Sequence, residues 1–407
     1  MTPLLALTTL TSLLAKAVAL SDNITVASPI VTVNNVEYLG SHNETLNTND
    51  YYSIPFAAPP IGTLRWKAPR PYIVPDNSTK YDSPINATQP GPSCVQGIPV
   101  WSLGLVPEPA IESEDCLTLN VHTPDTATVG AKLPVIFNIH GGGYTVGNSG
   151  LLPPHALLRH SKNAFIYVDI QYRLGAYGFV GGPKYVSQGG AQNLGLLDQR
   201  LALEWTQKNI AALGGDPEKV TIIGLSAGGG SVTAQMAWKG GEKNPPFRAA
   251  IADYPWWQQF LRREQLNKQY ELLLDAAKCE DLECLQGVPE DVLKNATQKT
   301  YTAAYEKGAY GYGNLYYGPC VDGTVVKGLP SKEFRAGRFA KVPTFVSREG
   351  YEGWIFSNQS IETVQEEEAD LKTLFPYANE SFIDEIYELY PSEDFNSTFT
   401  HRQTWFG

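Results

Sequence analysis

The feature that most restricts the possible folds of this 407-residue chain is a set of short apolar runs separated by helical patterns. Each run is rich in Val, Ile or Phe and lacks polar alternation, which is typical of central strands covered on both faces. The runs occupy residues 133–139, 164–170, 220–225, 249–252 and 342–346. Amphipathic patterns at residues 193–213 and 264–278 predict helices. This alternation predicts an α/β fold with a mostly parallel central sheet flanked by helices.

Composition limits the class of protein further. Apolar residues make up 43% of the chain and charged residues 18%, as in an ordinary globular domain. The net charge is −11 and Lys and Arg do not cluster, so neither nucleic acid nor an anionic membrane is an expected partner. The sequence has no metal-binding cluster and no nucleotide-binding loop, so we expect no metal and no cofactor. Neither a repeat nor a linker divides the chain, and we expect one domain over residues 20–407.

The first 19 residues have the features of a signal peptide. They are apolar or small, and Ala17-Val18-Ala19 supplies the small-x-small pattern of a cleavage site, although a basic start is missing. Polar residues between Thr8 and Lys16 interrupt the run, which is therefore too short and too polar to anchor the chain in a membrane. We expect a secreted, extracellular protein.

Glycosylation sequons and cysteines agree with secretion. The eight sequons begin at Asn23, Asn43, Asn77, Asn86, Asn295, Asn358, Asn379 and Asn396. In an oxidising compartment, Cys94–Cys116 and Cys279–Cys284 are candidate local disulfides. Cys320 is left over, either because its partner lies elsewhere or because it is buried as a small apolar side chain.

A pentapeptide of the form Gly-x-Ser-x-Gly is the first candidate for catalytic chemistry. It runs from Gly224 to Gly228 with Ser226 at its centre, follows an apolar run and precedes a predicted helix at residues 229–238. A nucleophilic serine on a sharp strand-to-helix turn requires small residues on either side. The start of the helix also offers unpaired N–H groups where a negative oxygen would form. The context predicts that Ser226 is a nucleophile.

A glycine triplet at the end of the run 133–139 is the second candidate. His140 precedes Gly141, Gly142 and Gly143, and three glycines allow the backbone to turn its N–H groups toward a ligand. We predict that the N–H groups of Gly142, Gly143 and Ala227 form an oxyanion hole. A flexible turn is the alternative role of such a triplet. For His140 we predict a structural role in holding this loop.

Several further segments resemble one known family, the type-B carboxylesterases and lipases, which are cholinesterase-like α/β-hydrolases. Residues 113–121 are similar to its second signature, with Thr118 where an aromatic residue is commoner, and residues 54–66 are similar to its N-terminal signature. Residues 172–175, 193–199 and 214–217 follow in family order. The resemblance extends from about residue 34 to the last residue and implies a secreted, fungal-type ester hydrolase. Leu225, where many members carry glutamate, departs from the pattern.

The resemblance also implies a triad acid after the run 342–346. Glu349 and Glu352 are each followed by glycine, and we predict Glu352 because Phe356 follows it at the family's spacing, with Glu349 as the alternative. The family's order is serine, acid, histidine. His401 follows Glu352 by only 49 residues and lacks the expected surroundings, so we expect a truncated domain that lacks the C-terminal part of the fold and the triad histidine.

The predicted function is hydrolysis of a small-molecule or lipid ester through a Ser-Glu-His acyl-enzyme mechanism, with little activity in a chain that lacks the histidine. One alternative is a binding or adhesion protein on the same fold. Another is an interfacial lipase with an apolar lid at residues 97–112, a segment that is otherwise interpreted as a pocket wall. Residues 254–257 are candidates either for a substrate pocket or for core packing. The sequence does not predict the oligomeric state.

Overall fold

The computed structural model describes residues 28–73, 84–105, 111–350, 352–361 and 363–390. The predicted signal peptide, the sequons at Asn23, Asn77 and Asn396, and His401 lie outside these residues. The described strands are β1 (Ile30–Val33), β2 (Val36–Leu39), β3 (Ser41–Asn43), β4 (Thr48–Pro55), β5 (Ile85–Asn86), β6 (Ser93–Cys94), β7 (Glu112–Ser113), β8 (Thr118–Pro124), β9 (Leu133–Ile139), β10 (Ile166–Ile170), β11 (Gly215–Leu225), β12 (Ala249–Asp253) and β13 (Thr344–Val346).

Helices connect the later strands. They are α1 (His155–Ser161), α2 (Gly175–Phe179), α3 (Pro183–Ser187), α4 (Leu194–Asn209), α5 (Ala227–Met236), α6 (Arg263–Ala277), α7 (Leu282–Gly287), α8 (Glu290–Glu306), α9 (Pro330–Arg335), α10 (Gly353–Phe356), α11 (Val364–Leu374) and α12 (Glu380–Leu389). A 3₁₀ segment, Ile210–Leu213, extends α4 to Gly214, which ends it at a φ of 90°. The predicted helices at 193–213 and 264–278 are confirmed within one residue at each end.

The eight-stranded sheet has a parallel half and an antiparallel half. Its order is β13-β12-β11-β9-β10-β8-β4-β3. Strands β13, β12, β11, β9 and β10 are parallel to one another, whereas β8, β4 and β3 pair antiparallel. Because β10 and β11 lie on opposite sides of β9, the chain reverses its direction of winding there. Ligands in such sheets bind outside the carboxyl ends of the strands at this switch point.

The five predicted strands are the parallel half, so the predicted mostly parallel α/β sheet is confirmed. The prediction that all five are covered on both faces is wrong for β13. Phe345 is 62% exposed and Val346 58% exposed, because β13 is the outer strand of the described sheet and has only β12 as a neighbour. The antiparallel strands β4 and β8 were not predicted.

Two buried ion pairs join segments that are distant in sequence. The guanidinium of Arg65 donates two hydrogen bonds of 2.6 Å to the carboxylate of Glu114. Arg173 forms the same bidentate contact with Asp198, in which Nε donates to one carboxylate oxygen at 2.8 Å and Nη2 donates to the other at 2.7 Å. All four side chains are buried and belong to the segments that carried the family resemblance. These motif residues therefore fix the loops around the sheet, which is a structural role.

The predicted disulfides Cys94–Cys116 and Cys279–Cys284 are both present, with S–S distances of 2.03 and 2.06 Å. Cys320 is unpaired and 2% exposed, as expected of a cysteine buried as an apolar side chain. Among the described helices, none combines the length and apolar character that crossing a membrane requires.

Candidate active site

Ser226 lies on a tight bend between β11 and α5. Its φ of 55° and ψ of −123° fall outside the regions that side chains usually occupy. The bend is held by its backbone, since the Ser226 N–H donates to Asp253 O (3.0 Å) and its carbonyl accepts from the N–H groups of Gly230 and Trp256 (both 2.9 Å). Such strain persists only where the surroundings enforce it and is common at active sites.

The two glycines that flank Ser226 are required by close backbone contact. A Cβ on Gly224 would lie 2.4 Å from the backbone of Gly228, and a Cβ on Gly228 would lie 2.1 Å from the carbonyl oxygen of Ile139. The end of β9 therefore passes directly beneath the bend. The helix that was predicted to begin near residue 229 begins at Ala227. The positions of these glycines agree with the strand-to-helix turn predicted from the sequence.

The glycine triplet packs against the same bend. A Cβ on Gly141 would lie 3.3 Å from Cβ of Ser226 and 2.7 Å from the carbonyl oxygen of Leu225. Gly142 and Gly143 have φ values of 101° and 61°, which other residues rarely adopt. The Gly142 carbonyl accepts hydrogen bonds from the N–H groups of Thr145 and Val146, so the loop closes on itself. The structure thus brings the triplet and Ser226 together.

Three N–H groups, two on the glycine triplet and one at the start of α5, have no acceptor in the described structure. They are the N–H groups of Gly142, Gly143 and Ala227. Ala227 is the first residue of α5, where N–H groups lack partners within the helix and the potential is positive. An arrangement of this kind can stabilise a negatively charged oxygen.

His140 lies buried beneath the glycine loop. Its ring is 1% exposed, stacks on Tyr172 at 4.3 Å between ring centroids, and forms a 2.8 Å hydrogen bond to the carbonyl oxygen of Gly141. Burial lowers the pKa of His140 to about 4, although that hydrogen bond opposes the shift. The neutral ring therefore supports the triplet, in agreement with its predicted structural role.

Glu349 and Glu352 follow β13, near the carboxyl ends of β11 and β12. Both carboxylates lie close enough to β12 to affect the pKa of Tyr254, the residue that follows this strand. Burial raises the pKa of Tyr254, and the charges of Asp253, Glu349 and Glu352 raise it further. Glu349 is exposed, whereas Glu352 is half-buried and directly precedes α10. The choice of Glu352 as the acid stays a prediction.

Hydrogen bonds connect the ends of the three strands at this edge. Asp253, whose carbonyl accepts the Ser226 N–H, also accepts a hydrogen bond from the Ser347 hydroxyl through its carboxylate. The Ser347 carbonyl in turn accepts the Tyr254 N–H at 3.1 Å. The segment that leads to Glu352 is therefore tied to the strand that supports Ser226.

Leu315 is a site residue that the sequence did not reveal. A Cβ on Gly143 would lie 1.7 Å from Cδ1 of Leu315, so this side chain occupies the space above the glycine. The backbone of Leu315 is fixed by a 3.2 Å hydrogen bond from its N–H to the side chain of Gln258. Trp101 Nε1 donates to the neighbouring Asn314 carbonyl at 2.6 Å. No motif marks this segment, because its role depends on contacts with distant parts of the chain.

Of the two roles left open for residues 254–257, core packing is confirmed for Trp256 and Trp257, which pack against the hydrophobic core, and a role in a substrate pocket stays a prediction. Trp256 is half-buried, its N–H binds the Ser226 carbonyl, and its carbonyl accepts from the Tyr144 hydroxyl at 3.3 Å. Trp257 Nε1 donates to Thr233 on α5 at 2.9 Å. These contacts hold the bend from the side of β12.

The remaining predicted sites are at the surface. The described sequon asparagines are exposed or half-buried, which leaves glycosylation a prediction; they are Asn43, Asn86, Asn295, Asn358 and Asn379. Among the described residues, no group of three His, Cys, Asp or Glu side chains is arranged to hold a metal ion.

Comparison with known proteins identifies the family. The chain matches the carboxylesterase family over residues 27–404. The chain belongs to the carboxylesterase family. Lipase 4 of Diutina rugosa is 35% identical to this carboxylesterase, and the match covers 90% of this chain and 70% of the lipase. Secreted lipase 1 of Botryotinia fuckeliana is 36% identical, with 83% of this chain and 61% of the relative covered.

Solved structures of other carboxylesterases have the same fold as this chain. Aspergillus niger EstA has a TM-score of 0.80 at 28% identity, with 93% of this chain and 71% of that chain covered. The Geobacillus stearothermophilus carboxylesterase Est55 has a TM-score of 0.73 at 27% identity, covering 92% of this chain and 72% of that chain. The predicted α/β-hydrolase fold and the predicted class, a serine ester hydrolase, are confirmed.

Proposed function

We propose that this carboxylesterase cleaves esters through attack of the Ser226 hydroxyl on the ester carbonyl. An acyl-enzyme forms as the alcohol leaves, and water then releases the acid. The single observation that carries the proposal is the bend at Ser226, which packs so closely against the glycine triplet that a Cβ added to Gly141 would lie 3.3 Å from Cβ of Ser226. The free N–H groups of Gly142, Gly143 and Ala227 would bind the oxygen of the tetrahedral intermediate.

In this mechanism Glu352 would orient and stabilise an imidazole that takes the proton from Ser226. No histidine follows Glu352 within the described part of the chain, and His401 lies outside it. His140 is held beneath the loop by Gly141 and Tyr172, so we do not assign it as the base.

Hydrolysis of p-nitrophenyl butyrate tests the proposal. The 407-residue chain should release p-nitrophenol faster than its Ser226→Ala variant, and added imidazole should increase the difference if no internal base serves Ser226. The His401→Ala variant tests whether His401 is the base. If it is, this variant should hydrolyse the ester no faster than Ser226→Ala; if it is not, the variant should keep the wild-type rate. Equal rates for the wild type and Ser226→Ala, with and without imidazole, would contradict the proposed mechanism.

A second candidate is a lipase that acts at an interface. Leu103, Leu105 and Ile111 are 56%, 64% and 69% exposed and lie within the loop closed by Cys94–Cys116. Exposed apolar side chains in one loop are typical of a surface that meets another apolar phase. Several relatives are named lipases, among them Lipase 4 of Diutina rugosa. An interfacial lipase should hydrolyse emulsified tributyrin much faster than the dissolved ester, and Leu103→Ser with Leu105→Ser should remove this preference.

We also propose that the protein is secreted and glycosylated. The secreted relatives, the two disulfides and the surface positions of the described sequons support this proposal. Secretion from a eukaryotic host, followed by removal of N-glycans and mass spectrometry, tests it. Retention in the cell, or a mass unchanged by the glycan-removing enzyme, would contradict it.

A further inference from the structure

The outer strand of the eight-stranded sheet, β13, has a free edge within the described part of the chain. Among the described strands, only β12 pairs with it. Phe345 and Val346 are 62% and 58% exposed, and Thr344 is exposed as well. A strand edge of this kind presents backbone N–H and C=O groups with which another strand can pair. The edge is therefore a candidate interaction surface.

The hydrogen bonds to β12 show which backbone groups of β13 face outward. The carbonyl of Pro343 and the N–H of Ser347 both form hydrogen bonds to β12, of 3.0 and 3.3 Å. Because backbone groups alternate in direction along a strand, those of Phe345 also face β12, whereas those of Thr344 and Val346 face away. No described residue binds the backbone N–H and C=O groups of Thr344 and Val346. These groups can therefore pair with a further strand.

The antiparallel register centred on Phe345 uses all of these groups when two copies of the chain meet. In this register Thr344 of each copy lies opposite Val346 of the other, and the two residues exchange hydrogen bonds in both directions. Phe345 lies opposite itself at a position without hydrogen bonds, as its bonds to β12 require. Pro343 lies opposite Ser347, where its missing N–H is not needed. The arrangement has the two-fold symmetry of a closed dimer.

The charges on either side of β13 are complementary in the same register. Lys341 and Glu349 are equally far from Phe345 along the chain, so the lysine end of each copy meets the glutamate end of the other. Both side chains are exposed, and the ammonium group of Lys341 also lies 3.3 Å from the ring centroid of Phe339. Opposite charges on facing strands stabilise their pairing, whereas like charges destabilise it. Charge and backbone direction together favour a second copy as the occupant of this edge.

We propose that two copies of this chain associate through antiparallel pairing of β13, which joins their two sheets into one. The Cα atoms of Phe345 in the two copies would be about 4.5 Å apart, so their rings pack side by side on one face. The pairing also covers the exposed apolar side chain of Val346. Because β13 is only three residues long, the interface is small and the dimer dissociates on dilution.

Cysteine cross-linking of the 407-residue chain tests the register. Phe345→Cys should form a disulfide between two copies under mild oxidation, because Cα atoms about 4.5 Å apart suit a disulfide. Thr344→Cys is the matched control, since residue 344 faces Val346 of the second copy and its own counterpart is too distant to bond. Cys320 is buried in both variants and does not compete. Equal cross-linking of the two variants, or none in either, would overturn the proposal.

Sedimentation velocity over a dilution series tests the association itself. The wild type should change from dimer to monomer on dilution, and Val346→Pro should be a monomer throughout. Proline removes an outward N–H at the free edge, where a strand tolerates it. Val346→Thr keeps this N–H and should still dimerise. A monomeric wild type, as expected if another segment of the chain or a different protein occupies the edge, would contradict the proposal, as would unchanged association of a folded Val346→Pro variant. Near-UV circular dichroism reports folding, and the cysteine pair decides if Val346→Pro does not fold.

Charge reversal separates this register from other modes of association. Lys341→Glu and Glu349→Lys should each weaken the dimer about three- to tenfold at low salt, because each places like charges opposite one another. The double variant, and an equimolar mixture of the two single variants, should regain the wild-type association because opposite charges face each other again. Losses that add in the double variant would exclude the assigned register.

Discussion

Gly141 lies so close to Ser226 that a methyl group added to Gly141 would contact both Ser226 and Leu225. The Cβ of an alanine at position 141 would be 2.7 Å from the Leu225 carbonyl oxygen and 3.3 Å from Cβ of Ser226. The first distance is shorter than real Cβ contacts, and a backbone atom cannot move aside easily. The glycine loop and the serine bend therefore act as one unit.

Gly141→Ala should accordingly lower ester hydrolysis more than it lowers stability. A shift of about 1 Å in catalytic groups can cost roughly 10²-fold in rate, and we expect a loss of this order in kcat/KM for p-nitrophenyl butyrate. Gly287→Ala is the control, because nothing lies within 4 Å of its Cβ position. A Gly141→Ala variant as active as the control would show that the two segments are not coupled.

Gly143→Ala should impair the oxyanion hole for two separable reasons. The φ of 61° is unfavourable for alanine, and the new Cβ would overlap Leu315 at 1.7 Å. We expect a 10²–10³-fold loss of activity, roughly that of losing one oxyanion donor. Adding Leu315→Ala should recover part of the loss by removing the overlap. Kinetics of both single variants and the double variant measure this coupling, and strictly additive losses would exclude it.

Asp198→Asn should destabilise the fold strongly. The change leaves the buried guanidinium of Arg173 without its charged partner, which usually costs about 3–5 kcal/mol. Glu271→Gln breaks the ion pair with Lys184, in which both side chains are more than 40% exposed, and should cost about 1 kcal/mol or less. Urea unfolding of both variants gives the comparison. Equal costs would mean that burial of the Arg173–Asp198 pair is unimportant.

His140 should make the protein sensitive to acid. Its folded-state pKa of about 4 lies below the ordinary value of 6.5, so folding favours the neutral ring. The resulting stability is present above pH 6.5 and is lost as the pH falls toward 4. His140→Phe, which keeps a ring against Tyr172, should remove this loss. Unfolding free energies at pH 7 and pH 4.5 test it, and an identical pH dependence in the variant would contradict the shifted pKa.

The parallel half of the fold was predictable because burial on both faces leaves a mostly apolar run without polar alternation, as in Leu133–Ile139. The antiparallel half was not, because β4 and β8 bury the polar side chains of Asp50, Asn120 and His122 and so lack that signal. Ser226 and the glycine triplet were predictable because their chemistry requires local backbone shapes that favour glycine. Leu315 was not predictable, since its contact with Gly143 joins segments more than 170 residues apart.

The most direct test of the central claim is the rate at which a fluorophosphonate reacts with individual serines, followed by peptide mass spectrometry. We predict that Ser226 is phosphonylated faster than any other serine, that Ser226→Ala abolishes the fast reaction, and that Gly143→Ala slows it. Labelling of Ser226 no faster than an exposed serine such as Ser381, or a rate unaffected by Gly143→Ala, would contradict the account.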